Sequence, residues 1–133
     1  MTSSKFNREA PKFLSILGAE GFNFDEINES ITMNFNIGED LTHSAGKIVQ
    51  GGFITAMLDT SMAHLLIFKT NGAYNPLTLS VNVIFLASGT PGKFVASANI
   101  EKMGKSISFT SAQLHQDGIL VATASATNKL VKF

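Results

Sequence analysis

A carboxylate stands in the middle of the most apolar stretch of the chain. Across residues 53–68 only Thr55, Asp59, Thr60, Ser61 and His64 are polar, so a helix over this run is greasy on nearly every face and belongs in a core. An ionised Asp59 in such surroundings costs several kcal/mol unless it is paired, hydrogen-bonded or open to a cleft. A polar stripe facing solvent, or a bond to Thr55 or Ser61, would account for it; so would a functional carboxylate. Just ahead of the run stand Gly51 and Gly52. Glycine lets a backbone come close to a ligand, and the first amides of a helix have no intrahelical acceptor and carry the positive end of its dipole. Such a helix start can hold an oxyanion. Along one helix, however, the step from Gly52 to Asp59 is two turns, roughly 10 Å of rise. The two meet on one atom only if something folds back or a second subunit supplies one of them.

The remaining polar groups offer less. Asp59 and His64 are five residues apart, about 140° of helical rotation, so they do not share a face; His64 reads as a histidine at the edge of the core. Thr60 and Ser61 suit hydrogen bonds to helix carbonyls, with Ser61 also a supporting partner for a site at Asp59. The three histidines are scattered and make no metal-ligand spacing.

The elements that must position these residues follow from pattern. A chain of 133 residues with 44% apolar content is long enough for one core. Ten basic residues balance ten acidic ones, which leaves no general field for nucleic acid or an acidic membrane surface. Without cysteine there is no disulfide, thiol nucleophile or thiolate metal site, in keeping with a cytoplasmic setting. No targeting signal is visible, and the apolar run is shorter than a membrane span.

Residues 8–17 predict a short amphipathic helix packed as a flap, stopped by Gly18 and Gly21. Residues 22–27 and 30–37 predict a hairpin turning at Asn28-Glu29, and a polar loop over residues 38–47 leads to Gln50-Gly51-Gly52. After the central helix come four strands, at 77–87, 93–103, 106–116 and 119–129, the last three a meander closed at Gly104-Lys105 and Asp117-Gly118. Long antiparallel strands around a helix apolar on all sides predict an α+β fold, a curved sheet wrapped around that helix.

This order, with three sequence blocks, resembles the hotdog-fold acyl-CoA thioesterases, in particular their PaaI-like branch. Gln50-Gly51-Gly52 followed by Leu58-Asp59 is similar to the branch's His-Gly-Gly then Leu-Asp. The run Thr78-Leu79-Ser80-Val81-Asn82-Val83-Ile84-Phe85-Leu86 with Pro91-Gly92 resembles its next strand. Lys102-Met103-Gly104-Lys105 and the strand beginning Gly118-Ile119-Leu120 resemble its closing meander.

The resemblance implies one hotdog domain over residues 1–133, with a flap helix in 1–19 and the core in 20–130, hydrolysing an acyl-CoA thioester. It makes Asp59 the nucleophile or general base, Gly51 with Gly52 beside it the oxyanion donor, Thr78 the hydroxyl that helps hold the carboxylate or the water, and Ser44 the loop residue that orients water. It also implies a site shared across a homodimer, which itself pairs into a homotetramer in many hotdog proteins, and no cofactor beyond the coenzyme A carried by the substrate. Gln50 departs from the branch's His and Ser44 from its Asn; glutamine keeps hydrogen bonding but cannot titrate near neutral pH. The Asp-His spacing also brings the hydratase branch of hotdog proteins to mind, but the helical rotation argues against it. Phe53, Met57 and Phe85 are expected to line an acyl tunnel for a medium-chain or aromatic acid, with Ser61 beside it, and Lys102 and Lys105 to meet the coenzyme's phosphates, as Lys129 and Lys132 also could. The same residues would suit a hotdog module that binds an acyl-CoA or other hydrophobic ligand without turning it over.

Overall fold

The computed structural model describes residues 10–133. Its centre is a 19-residue helix, α2 (Gly51–Lys69), and everything else is arranged to cover it. Among the described residues two α-helices, a 3-10 turn at Glu39–Leu41 and eight strands follow the chain: α1 (Lys12–Ile16), β1 (Ala19–Asp25), β2 (Ser30–Ile37), the 3-10 turn, β3 (Thr42–His43), β4 (Ile48–Val49), α2, β5 (Tyr74–Phe85), β6 (Gly92–Met103), β7 (Ile107–Gln116) and β8 (Ile119–Lys132). Six strands form one antiparallel sheet in the order β1-β2-β6-β7-β8-β5. The crossover that carries β5 to the far side of β8 is α2 itself, so the sheet curls round the helix joining its parts. β3 and β4 make a separate two-stranded ribbon.

Alternation explains which sheet face is inside. Along β2, Ile31, Met33, Phe35 and Ile37 are buried while Asn34 and Asn36 are exposed, the period of two expected of a half-buried strand. Across β6, β7 and β8 the inward positions are largely alanine: Ala96, Ala98, Ala112, Ala122, Ala124 and Ala126. Small side chains there let the helix lie close to the sheet. The helix supplies the bulk in return, with Met57, Leu58, Met62, Leu65 and Leu66 fully buried, each contributing about 1.5–3 kcal/mol of apolar burial.

Several boundaries depart from the pattern reading. The flap helix is only five residues long, beginning after Pro11; residues 8 and 9 lie outside the described residues. Gly18 does end it, in a left-handed conformation (φ +68°) so close to the Asn36 carbonyl that a Cβ would overlap it. Gly21 does not stop a helix; it lies in β1 beside an irregularity in the pairing with β2. β1 ends at Asp25 rather than residue 27 because the Asp25 carboxylate accepts both the Asn28 backbone N–H (3.0 Å) and its side-chain amide (2.7 Å), closing the turn early. Those bonds hold the Asp25 carboxyl below its ordinary range. The central helix is longer than its apolar run, taking in both glycines and Lys69. By length and composition it could cross a membrane; here it is the core helix of the wrapped sheet.

Candidate active site

The start of α2 is set by Gln50. Its backbone is extended, and its side-chain Oε1 accepts the Gly52 N–H at 2.7 Å, an N-cap of the kind usually supplied by Asn, Asp or Ser. A Cβ on Gly52 would sit 2.7 Å from that oxygen, so the cap depends on glycine there. The Gly52 amide is therefore occupied. The Gly51 N–H, by contrast, meets no acceptor among the described residues, and the Phe85 ring lies over it, 3.4 Å from where a Cβ would stand. Of the two glycines expected to supply a donor, the geometry leaves Gly51 open.

Two turns further on, Asp59 is only half-buried, and its Oδ1 accepts the hydroxyl of Thr78 at 2.8 Å. Thr78 and Phe85 are seven residues apart, an odd spacing that would put them on opposite faces of a regular strand. A bulge at Leu79 corrects this: Thr78 pairs with Asn128 and Ser80 with Thr127, after which Phe85 pairs with Ala122. Both Asn128 and Ala122 are buried, so the bulge turns Thr78 and Phe85 to the same concave face, one beside Asp59 and one beside Gly51.

Behind Thr78 the sheet is unexpectedly polar. Asn128 stands directly across from it on β8 and Ser108 across from Asn128 on β7, and with Thr110 all three are essentially buried. The Asn128 amide donates to the Thr110 hydroxyl at 3.0 Å, while Ser108 Oγ and Asn128 Oδ1 have no partner among the described residues. Pattern reading passed over this row. Its signal was Asn128 occupying the inward phase of an otherwise apolar alternation.

The other candidates are less concentrated. Ser44 lies at the tip of the β3–β4 ribbon, hydrogen-bonded to His43 Nδ1 at 2.9 Å, in a turn where Ser44, Ala45 and Gly46 all take positive φ. Left-handed Ser and Ala cost about 1 kcal/mol or more each. This ribbon leads into the Gly51 end of α2, not the Asp59 turn. Phe53 is half-buried against the core. Met57 is wholly inside it, and Ser61 is fully buried with its hydroxyl donating to the Met57 carbonyl at 2.7 Å, which leaves neither any surface for a ligand. Lys102 and Lys105 are exposed around the β6–β7 turn, with β7 and β8 between them and β5.

His64 bonds within the helix, its Nδ1 2.8 Å from the Thr60 carbonyl and 3.1 Å from the Thr60 hydroxyl. Burial lowers its pKa, partly offset by the Thr60 carbonyl. It makes no pair with Asp59.

Residues 40–129 match the family model described as the acyl-CoA thioesterase N-terminal domain. The chain belongs to the acyl-CoA thioesterase family. Among solved structures, this thioesterase is similar to a Ralstonia eutropha JMP134 protein described as a putative thioesterase related to phenylacetic acid degradation, at 28% identity and TM-score 0.88 over 97% of both chains. It shares its fold with the Escherichia coli PaaI protein of the phenylacetic acid degradation operon (16% identity, TM-score 0.80, 91% of this chain and 85% of that one). The same fold recurs in a Streptococcus mutans protein bound to acetyl-CoA (17% identity, TM-score 0.72, 85% and 90%). No curated protein matches the sequence. The fold is thus the hotdog, and the protein is an acyl-CoA thioesterase of the PaaI type.

Proposed function

We propose that this thioesterase hydrolyses medium-chain or aromatic acyl-CoA esters at a site built by two copies of the chain, with Asp59 from one and Gly51 from the other. The observation that carries this reading is the hydrogen bond from Thr78 to Asp59 on the same helix whose start leaves the Gly51 amide open. Thr78 fixes one carboxylate oxygen and leaves the other for water or for the thioester carbon. With Asp59 as general base, it takes a proton from water as the hydroxide adds to the carbonyl. The Gly51 N–H receives the resulting oxyanion, the C–S bond breaks, and the CoA thiolate takes the proton back. With Asp59 as nucleophile, its oxygen displaces the thiolate to give a mixed anhydride that water then cleaves.

The need for a second copy follows from distance and from an uncovered edge. Gly51 and Asp59 are eight residues apart on one helix, about 12 Å of rise, too far to serve one carbonyl. β5 is an edge strand of 12 residues, paired among the described residues only with β8. It exposes Leu77, Leu79, Val81, Ile84 and Phe85 by 37–57%, a template for pairing with another strand. Antiparallel pairing of two β5 edges would lay the two α2 helices side by side in opposite directions and bring one Gly51 toward the partner's Asp59.

The test is thiol release from short, medium, long and aromatic acyl-CoAs by the wild type and Asp59→Asn. A loss in kcat of about a hundredfold or more, with the fold intact by circular dichroism, is expected; undiminished turnover by the variant would remove Asp59 from the mechanism.

A further inference from the structure

Residues 86–91 join β5 to β6 and belong to no strand, yet they are held at both ends. β8 has a bulge where Leu114 pairs with Ala122 and His115 with Leu120. Val121, the extra residue between them, turns its carbonyl to the loop and accepts the N–H groups of Leu86 (2.8 Å) and Ala87 (3.1 Å). At the other end stands Gln116, the last residue of β7. It continues the inward phase that Ala112 and Leu114 fill with apolar side chains, and it is only 8% exposed. Its Oε1 accepts the Thr90 N–H at 2.9 Å, and its Nε2 donates to the Thr90 carbonyl at 2.8 Å. That is the pair of bonds one antiparallel strand residue exchanges with another. The Gln116 amide thus serves as a short piece of strand that keeps the loop on the sheet.

What the loop touches next leads to the site. Gly89, beside Thr90, is buried, and a Cβ there would lie 2.8 Å from the Phe94 ring and 3.3 Å from Ile54 in the first turn of α2. Its carbonyl accepts the Val49 N–H at 2.8 Å. The Gln50 N–H goes to the Leu41 carbonyl at 3.0 Å, and the Gly52 N–H to the Gln50 side chain. Of the four successive amides from Val49 to Gly52, three are tied to the fold, while that of Gly51 meets no acceptor among the described residues. Its direction comes from the helix, because the Gln50 carbonyl in the same peptide plane accepts the Phe53 N–H at 2.9 Å. Its placement against the end of β5 comes from Gly89, and Gly89 is placed by Gln116.

We propose that Gln116 is a positioning residue for the oxyanion donor: through Thr90, Gly89 and Val49 it sets where the Gly51 amide stands. Its own amide is spent on Thr90, so it acts on the reaction only through Gly51. The inference rests on the reading of Gly51 as the donor to the oxyanion. A misplacement of about 1 Å in such a group costs about a hundredfold in rate.

The test compares the full-length wild type with Gln116→Met, which keeps the length and removes both bonds, and with the milder Gln116→Asn, one methylene too short to make both. Leu114→Val, on the same strand but remote from Thr90 in its bonding, controls for lost stability. Hydrogen exchange read by mass spectrometry should quicken about tenfold over residues 48–53 in Gln116→Met and less in Gln116→Asn, with the rest of α2 unchanged. On octanoyl-CoA, kcat should fall about tenfold or more in Gln116→Met while KM stays within about twofold. Leu114→Val should lower Tm without either effect. Unchanged exchange over residues 48–53 in both Gln116 variants overturns the proposal, and so does an equal loss of kcat in Leu114→Val. Faster exchange with undiminished kcat would instead remove Gly51 from the mechanism while leaving the brace between Gln116 and Val49 in place.

Discussion

The two edges of the sheet are built to opposite specifications. β1 has seven residues, carries Glu20 and Asp25, and is irregular where it meets β2 at Ala19 and Gly21. Its inward phenylalanines are covered, Phe22 stacking on Phe68 at 4.7 Å between ring centroids and Phe24 lying 5.8 Å from it. Charge, shortness and irregular pairing are the usual ways of making an edge unfit for another strand. β5 uses none of the first two: it has 12 residues, and no charged residue occurs between Lys69 and Lys93. Its single bulge points Thr78 inward rather than blunting the strand. One edge closes the fold, and the other is left as a surface that carries half of the proposed site.

If β5 is the association edge, charging it should do far more damage than charging β1. Val81→Glu puts a carboxylate on the inner face of β5, at a residue 37% exposed. It should weaken self-association at least a hundredfold by sedimentation velocity, and lower thiol release in step with the loss of dimer. Asn23→Lys on β1 should leave both unchanged. A Val81→Glu chain that stays assembled and active, or a wild type that is monomeric at micromolar concentration, would break the comparison. A smaller effect sharpens it within β5 itself. Thr78→Val removes the donor to Asp59 but keeps the shape, and kcat should fall about tenfold or more, since bonds to a charged group contribute about 1.5–3 kcal/mol. Thr78→Ser should recover most of that, and the sedimentation coefficient should not move in either variant.

The difference between the edges was only half visible in the sequence. Alternation in β2 and the meander, the turns at Gly104-Lys105 and Asp117-Gly118, and the all-round apolar helix made the wrapped sheet legible, because these signals are local and periodic. Resemblance to a family pointed to a Thr78 hydroxyl holding either the carboxylate or the water; its bond to Asp59 was not legible, since the two are 19 positions apart and no local rule brings a helix residue to a particular strand residue. The bulge at Leu79 left no mark in residue type. A strict period of two carried through Thr78 would have turned Phe85 outward, away from Gly51. The helix cap was hidden differently: Gln50 stood out as a departure from the family's histidine, yet its carbonyl oxygen serves the Gly52 amide. Ser61 looked like a partner for Asp59 by proximity in sequence, but it lies about 200° round the helix from it and bonds inward to Met57.

The smallest expected effect lies on the side of the helix that faces β1. The pKa of His64 is displaced downward, because burial disfavours the imidazolium more than the Thr60 carbonyl favours it. A base whose folded pKa lies below its unfolded value binds its proton first in the unfolded chain, so unfolding takes up protons as the pH falls and stability declines with it. The contribution of neutral His64 is complete above the unfolded value of about 6.5 and is lost progressively as the pH drops through that value toward the folded one. Asp25, whose pKa is lowered from 3.8, loses its contribution only at more acid pH, outside this window. The difference in Tm between wild type and His64→Gln, measured by calorimetry from pH 8 to pH 5, should therefore change by a few degrees, with the wild type losing more on acidification. Val81→Glu should not alter that slope if His64 answers only to its own helix and the β1 side of the fold. A slope that disappears when the β5 edge is charged would instead mean that the burial of His64 depends on the partner copy, and that the two sides of the helix are not independent.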